Sequence, residues 1–201
     1  MKLPGYYSSG EFAKKAHITK NLRIRVEIQV TKAKKRINFI ITGALIAAAY
    51  VALTFLSNIF SLAFTPIQLR VSEVLTLLPI FTPAAIPGVT LGCFIANIAS
   101  FNAVDMIFGT AATLIAALLT YAFRNIKFKG LPLLSMLPPV IINAVVIGLE
   151  IAFFFLPEGY TFWGFVISGL QVGLGELAVC YILGIPFYLI VKKHNIFKGL
   201  F

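Results

Sequence analysis

Six long apolar blocks, separated by short polar breaks, organise the chain: Ile37–Leu56, Pro66–Phe81, Pro83–Ser100, Val104–Phe123, Leu131–Leu156 and Phe162–Val191. About 20 apolar residues carry an α-helix across the hydrocarbon core of a bilayer. Lipid offers no partner for open backbone groups, so each block is expected to be helical. The second block is short, and the break at Thr82–Pro83 with Pro87 fits a bent hairpin as well as a clean loop. The sixth is long and contains Pro186, which predicts a kinked or interfacial end. Ahead of the blocks, Leu22–Val30 (LRIRVEIQV) alternates apolar and polar residues in the manner of a short strand. Nothing obvious is there to pair with it, so residues 1–36 read as a poorly ordered or surface-bound tail. The expected organisation is that tail followed by a six-helix membrane domain, 37–201.

Composition agrees with the blocks. The 201 residues are 59% hydrophobic, with a mean hydropathy of +0.94, whereas a soluble domain is closer to half apolar. The fold class expected is an all-α, multi-pass integral protein of the cell membrane. Charge then supplies a direction. Residues 1–36 carry ten Lys or Arg against Glu11 and Glu27; Arg124, Lys127 and Lys129 share one connection, and Lys192, Lys193 and Lys198 follow the last block. Cytoplasmic loops collect Lys and Arg. Six crossings with both termini cytoplasmic put all of these on one side, which leaves only Arg70 within a block. A basic tail also attracts nucleic acid or anionic lipid, but leading into a span it reads first as a topology signal, with the bilayer and not nucleic acid as its partner.

Charged groups inside a span cost about 2.5–3.5 kcal/mol each on insertion scales, so the few that persist call for an explanation. They are Arg70, Glu73, Asp105, Glu150 and Glu176, with the amides Asn97 and Gln171 beside them and Asn143 deeper. Under the assigned orientation, four separate helices bring polar groups to the outer half of the membrane. Arg70 and Glu73 are i,i+3 neighbours able to neutralise each other, Asp105 fits an interface residue, and Glu150 and Glu176 fit buried structural carboxyls. Against that last reading, Leu131–Val191 holds no Lys or Arg to pair with the two glutamates. An outward pocket explains them better. Carboxylates there would accept from paired N–H donors or hold an amine cation, and a phosphorylated or carboxylate solute is disfavoured because only Arg70 would meet it. The aromatics Phe101, Phe153, Phe154, Phe155, Tyr160, Phe162 and Trp163 fit an interfacial belt better than a stacking platform.

Small residues recur every four positions. Gly43, Ala44, Ala47, Ala48 and Ala52 mark the first block, Gly88, Gly92 and Ala96 the third, and Gly169 and Gly173 the sixth. Such faces let helices approach closely; the length of the first one suits an external partner. Cys93 and Cys180 have no metal-ligand spacing and read as small packers. The chain has no HExxH, P-loop, GxSxG or GxGxxG motif, so no metal or cofactor is expected. An enzyme using Glu150 and Glu176 as acid and base, or a purely structural subunit, are the less favoured classes.

The runs QLRVSEVLTLLPIFTPAAIPGVTLGC, LPPVIINAVVIGLE and VGLGELAVCYILGIP resemble the queuosine-precursor transporter family, the substrate-binding S components of energy-coupling factor (ECF) importers. The likeness runs from about Thr42 to Val191 and leaves the tail outside it. It implies a six-helix bundle that binds a micronutrient from outside, does not hydrolyse ATP itself, and works with a transmembrane T component and two ATPases. It further implies a 7-deazaguanine precursor as solute, and Ala44, Ala48 and Ala52 as the docking face. Closure of the first outer loop, Ser57–Gln68, over bound solute is the expected motion. A different vitamin or nucleobase is the alternative.

Overall fold

The computed structural model describes residues 9–60, 69–98, 103–157 and 159–198. The named elements are helical: α1 (Ser9–Ile59), a 3-10 segment (Val71–Ile80), α2 (Ala85–Ile98), α3 (Ala103–Phe123), a 3-10 turn (Leu133–Met136) leading into α4 (Leu137–Phe154), α5 (Phe162–Leu177), a π-helical turn (Ala178–Leu183) and α6 (Gly184–His194). Most of the expected first outer loop and the Phe101–Asn102 connection lie outside the described residues.

Among the described residues, four helical stretches are long and apolar enough to cross a membrane: Leu22–Ile59, Ala103–Phe123, Leu133–Phe154 and Phe162–His194. The second and third blocks make shorter elements. Ten residues of 3-10 helix extend about 20 Å at ~2.0 Å per residue. Fourteen residues of α2 extend about 21 Å at ~1.5 Å per residue. Both fall short of a hydrocarbon core of roughly 30 Å.

The chain separates into two units between Phe39 and Ile40. In the first, the LRIRVEIQV stretch is helix, not the short strand its alternation allowed. An isolated strand leaves its backbone groups open, whereas a helix pairs them within the segment. The helical register also sets Arg23 and Glu27 one turn apart, where they form an ion pair of 3.3 Å. Both are well exposed, so the pair adds little stability.

In the second unit the 3-10 segment is the hub. It packs against α2, α3, the π turn and α6, and every residue from Ser72 to Pro79 is buried. Pro79 helps explain the tight winding. In an α-helix its ring would clash with the carbonyl of Leu75. Thr76 Oγ1 adds a 2.6 Å bond to the Glu73 carbonyl three residues back. The predicted break at Thr82–Pro83 is a short turn in which Thr82 Oγ1 accepts from the Ala84 N–H at 3.3 Å. Pro186 also has a consequence upstream. The π turn ends at Leu183, three residues before Pro186, so the wider winding accommodates a ring that cannot take an i−4 bond.

Glycines set two close helix crossings. A Cβ on Gly92 would lie 2.6 Å from Tyr50 Cβ and 2.9 Å from the Ala47 carbonyl, and one on Gly88 2.8 Å from the Gly43 carbonyl. The small stripes of the first and third blocks thus pack on each other. Likewise a Cβ on Gly148 would fall 2.7 Å from Gly169 Cα, fixing α4 on α5. Ile46, Tyr50, Val74, Leu78, Val89 and Cys93 fill the space between α1, the 3-10 segment and α2. Large apolar side chains such as Ile40, Leu45, Ile107, Leu170 and Ile182 point outward, as expected where the surrounding medium is lipid.

Candidate binding site

One end of the second unit gathers the polar side chains. From α1, Tyr50, Thr54 and Ser57 recur at 3.6-residue spacing, so one face meets residues 71–73. The Tyr50 hydroxyl donates to Glu73 Oε1. Thr54 Oγ1 donates to Ser72 Oγ at 2.8 Å, and the Val71 N–H donates to Ser57 Oγ at 2.9 Å. All three α1 residues are buried. Moving along α1 toward its C-terminus, the bonds step back along the 3-10 segment from 73 to 71.

Arg70 precedes the 3-10 segment and reaches toward α2 and α3. Its Nη1 donates to Asn97 Oδ1 at 3.4 Å, and its Nη2 stands 3.9 Å from Asp105 Oδ2. Asn97 Nδ2 in turn donates to the Asp105 carbonyl at 3.0 Å. Gly109 leaves room for that amide, since a Cβ there would lie 2.8 Å from Asn97 Nδ2. The expected local Arg70–Glu73 pairing is therefore not the whole arrangement: the guanidinium points across to two other helices while Glu73 is held from α1.

Two more carboxylates complete the cluster. Glu176, the penultimate residue of α5, accepts from Asn143 Nδ2 of α4 at 2.6 Å through Oε1, with the Cys180 thiol 3.8 Å from Oε2. It feels the charges of Glu73 and Arg70. Glu150 of α4 faces Asp105, with Arg70 also in electrostatic reach. Their carboxyls lie close enough to share a proton. No N–H or hydroxyl donor reaches either Glu150 oxygen or Glu73 Oε2 among the described residues, and all three are buried. Glu73 is 3% exposed and Glu150 2%. Uncompensated acceptors at that depth are costly, because nothing replaces the water they lost. Such exceptions point to a function.

The sequence-predicted residues Arg70, Glu73, Asn97, Asp105, Glu150 and Glu176 thus converge from the 3-10 segment and four helices. Gln171, on the α5 turn before Glu176, is half-buried, and no side-chain hydrogen bond joins it to them among the described residues. Tyr50 was missed. A lone tyrosine among alanines at Ala47–Ala52 carries no signal by itself; its partner lies 23 residues away. Asn143 proves to be the bridge from α4 to Glu176. The described aromatics Phe153, Phe154, Phe155, Tyr160, Phe162 and Trp163 are all exposed, in keeping with a belt at the interface. Ala44, Ala48 and Ala52 are exposed on α1, on the side away from Tyr50.

The class these observations define is a multi-pass helical protein of the cell membrane with a buried cluster of ionisable side chains inside its bundle, the kind of feature that marks a candidate functional site in a membrane protein. The comparisons make that specific. Residues 40–193 match the QueT transporter family, and the chain belongs to it. A 76-residue stretch is 43% identical to the queuosine precursor transporter QueT of Lactococcus lactis subsp. cremoris (strain MG1363). That stretch covers 38% of this chain and 45% of the relative, less than half of its length. No solved structure matches the chain.

Proposed function

We propose that this protein is the substrate-capturing S component of an ECF-type importer and that its solute is a 7-deazaguanine precursor of queuosine. The observation that carries the proposal is the set of three buried carboxylate oxygens without donors, Glu73 Oε2 and both oxygens of Glu150. A guanine-like edge presents adjacent N–H donors, and a carboxylate with two free oxygens accepts such a pair side by side. Glu150 is assigned that role. Arg70 offsets part of the negative charge, and Glu73, Asp105 and Glu176 leave the site acidic enough to accept an aminomethyl cation. The relative's printed solute supports the same chemical class.

The protein binds and releases; it is not an enzyme and carries no ATPase. Energy comes from partners, a T component and two ATPases, docked on the exposed small face of Ala44, Ala48 and Ala52. Six crossings place both termini in the cytoplasm, with the 3-10 segment and α2 completing the second and third. The sidedness of the basic residues is the same if those two short elements turn back as a pair, because either arrangement adds an even number of crossings. Closure of loop Ser57–Gln68 over the solute remains part of the mechanism.

Calorimetry on purified protein tests the reading, with the aminomethyl and nitrile deazaguanines, queuine and guanine as probes and Glu150→Gln alongside. Saturable binding of one deazaguanine, lost in the variant, is expected. Binding of none by folded protein would remove the queuosine assignment and redirect the search to another vitamin or nucleobase.

A further inference from the structure

We infer that Tyr50 is a positioning residue for solute recognition: its hydroxyl bonds Glu73 Oε1 and fixes the carboxylate, so that Oε2, the oxygen without a partner, is the one presented to the solute. The inference rests on the proposed deazaguanine site and assigns a part of it that no solute chemistry had called for.

The geometry is specific. Tyr50 is fully buried, and its Cβ is seated where Gly92 leaves room, since a Cβ on Gly92 would come within 2.6 Å of it. That seating aims the ring at the 3-10 segment. The hydroxyl donates to Oε1 and leaves Oε2 buried without a partner among the described residues. Thr54 and Ser57 tie down the two residues before Glu73 through Ser72 Oγ and the Val71 N–H. The carboxylate is thereby fixed at its tip by Tyr50 and at its base by the backbone. A glutamate with both oxygens open would rotate to meet whatever donor arrived. One whose unpartnered oxygen is held in a fixed direction discriminates among solutes by where they place an N–H, as pre-organised acceptors do. Glu150, with both oxygens free, is the contrasting case within the same site.

The test is a double-mutant cycle of Tyr50→Phe and Glu73→Leu, reading the dissociation constant of the aminomethyl deazaguanine, with thermal unfolding of each variant as the check on folding. Tyr50→Phe keeps the ring and removes only the donor. It is expected to weaken binding by about tenfold, the scale of a hydrogen bond to a charged group, and to have no further effect in the Glu73→Leu background, where no acceptor is left for the hydroxyl. An effect that persists undiminished in that background marks a packing role and overturns the inference, as does unchanged affinity in Tyr50→Phe. A readout free of solute keeps the two ideas apart. The infrared carboxylate band of Glu73, identified by its loss in Glu73→Leu, should shift in Tyr50→Phe. If wild-type protein binds no deazaguanine, the solute assignment fails, and the band decides whether Tyr50 holds Glu73; an unmoved band overturns the positioning role.

Discussion

Replacing Arg70 by methionine is the most informative single change to the stability of this protein. The Arg70 side chain is 8% exposed and its Nη2 lies 3.9 Å from a carboxylate oxygen of Asp105, whose side chain is 13% exposed. At an effective dielectric constant of ~20, a unit pair at that distance attracts by about 4 kcal/mol. The bond to Asn97 at 3.4 Å is long and adds little. Methionine fills much of the same volume without charge, so the packing loss is small. What remains is Asp105, Glu73, Glu150 and Glu176 around an absent cation, and breaking a buried pair from one side costs about 3–5 kcal/mol. For a chain of this size that corresponds to a fall in Tm of roughly 6–20 °C. A thiol-reactive fluorogenic maleimide suits the measurement, because the only cysteines, Cys93 and Cys180, are both free and buried and react as the bundle opens. The partner change Asp105→Asn made on top of Arg70→Met should recover part of the loss, since it removes the charge left stranded. A single variant that melts within 2 °C of wild type, a shift of about 1 kcal/mol or less, would refute the idea that Arg70 holds the acidic cluster together.

Other outcomes follow from the same structure. Glu150→Gln should melt at or above the wild-type temperature, because it removes a buried carboxylate whose oxygens have no donor; deazaguanine affinity should fall at least tenfold by calorimetry, and a loss of stability instead would mean that the carboxylate is structural. Gly92→Val places a Cβ 2.6 Å from Tyr50 Cβ, and overpacking of that kind costs about 1–3 kcal/mol, visible as a lowered Tm in the same maleimide assay. Ala48→Trp should spare solute binding in detergent and abolish uptake by cells; normal uptake would place the docking face elsewhere on the molecule.

Much of the site was legible before any fold was known, because charge in an apolar block is expensive and therefore conspicuous. Arg70, Glu73, Asn97, Asp105, Glu150 and Glu176 could be picked out that way, and depth along each block expected polar groups from four helices in the outer half, with Glu176 near the middle. Pairings were not legible. Arg70 and Glu73 sit three residues apart, which favours a local bond in sequence, yet one reaches α2 and α3 while the other is taken by Tyr50. Tyrosine is common near membranes, and only the glycine opposite it reveals that its hydroxyl is directed inward. The second block was legible as short, but its winding was not: burial on every side and Pro79 make it a 3-10 element. The alternation in Leu22–Val30 carried a true period-two signal, overridden by the absence of a strand to pair with.

The π turn at Ala178–Leu183 sets the phase of a long helix. It winds one more residue into its turn than an α-helix does, and it separates Glu176 from Tyr188 and Val191, all three of which are buried. Without the extra residue, everything after it would be rotated by about 100°, the angle per residue of an α-helix, and the tyrosine would leave the core. The two halves of this long helix are therefore locked in phase by one amino acid.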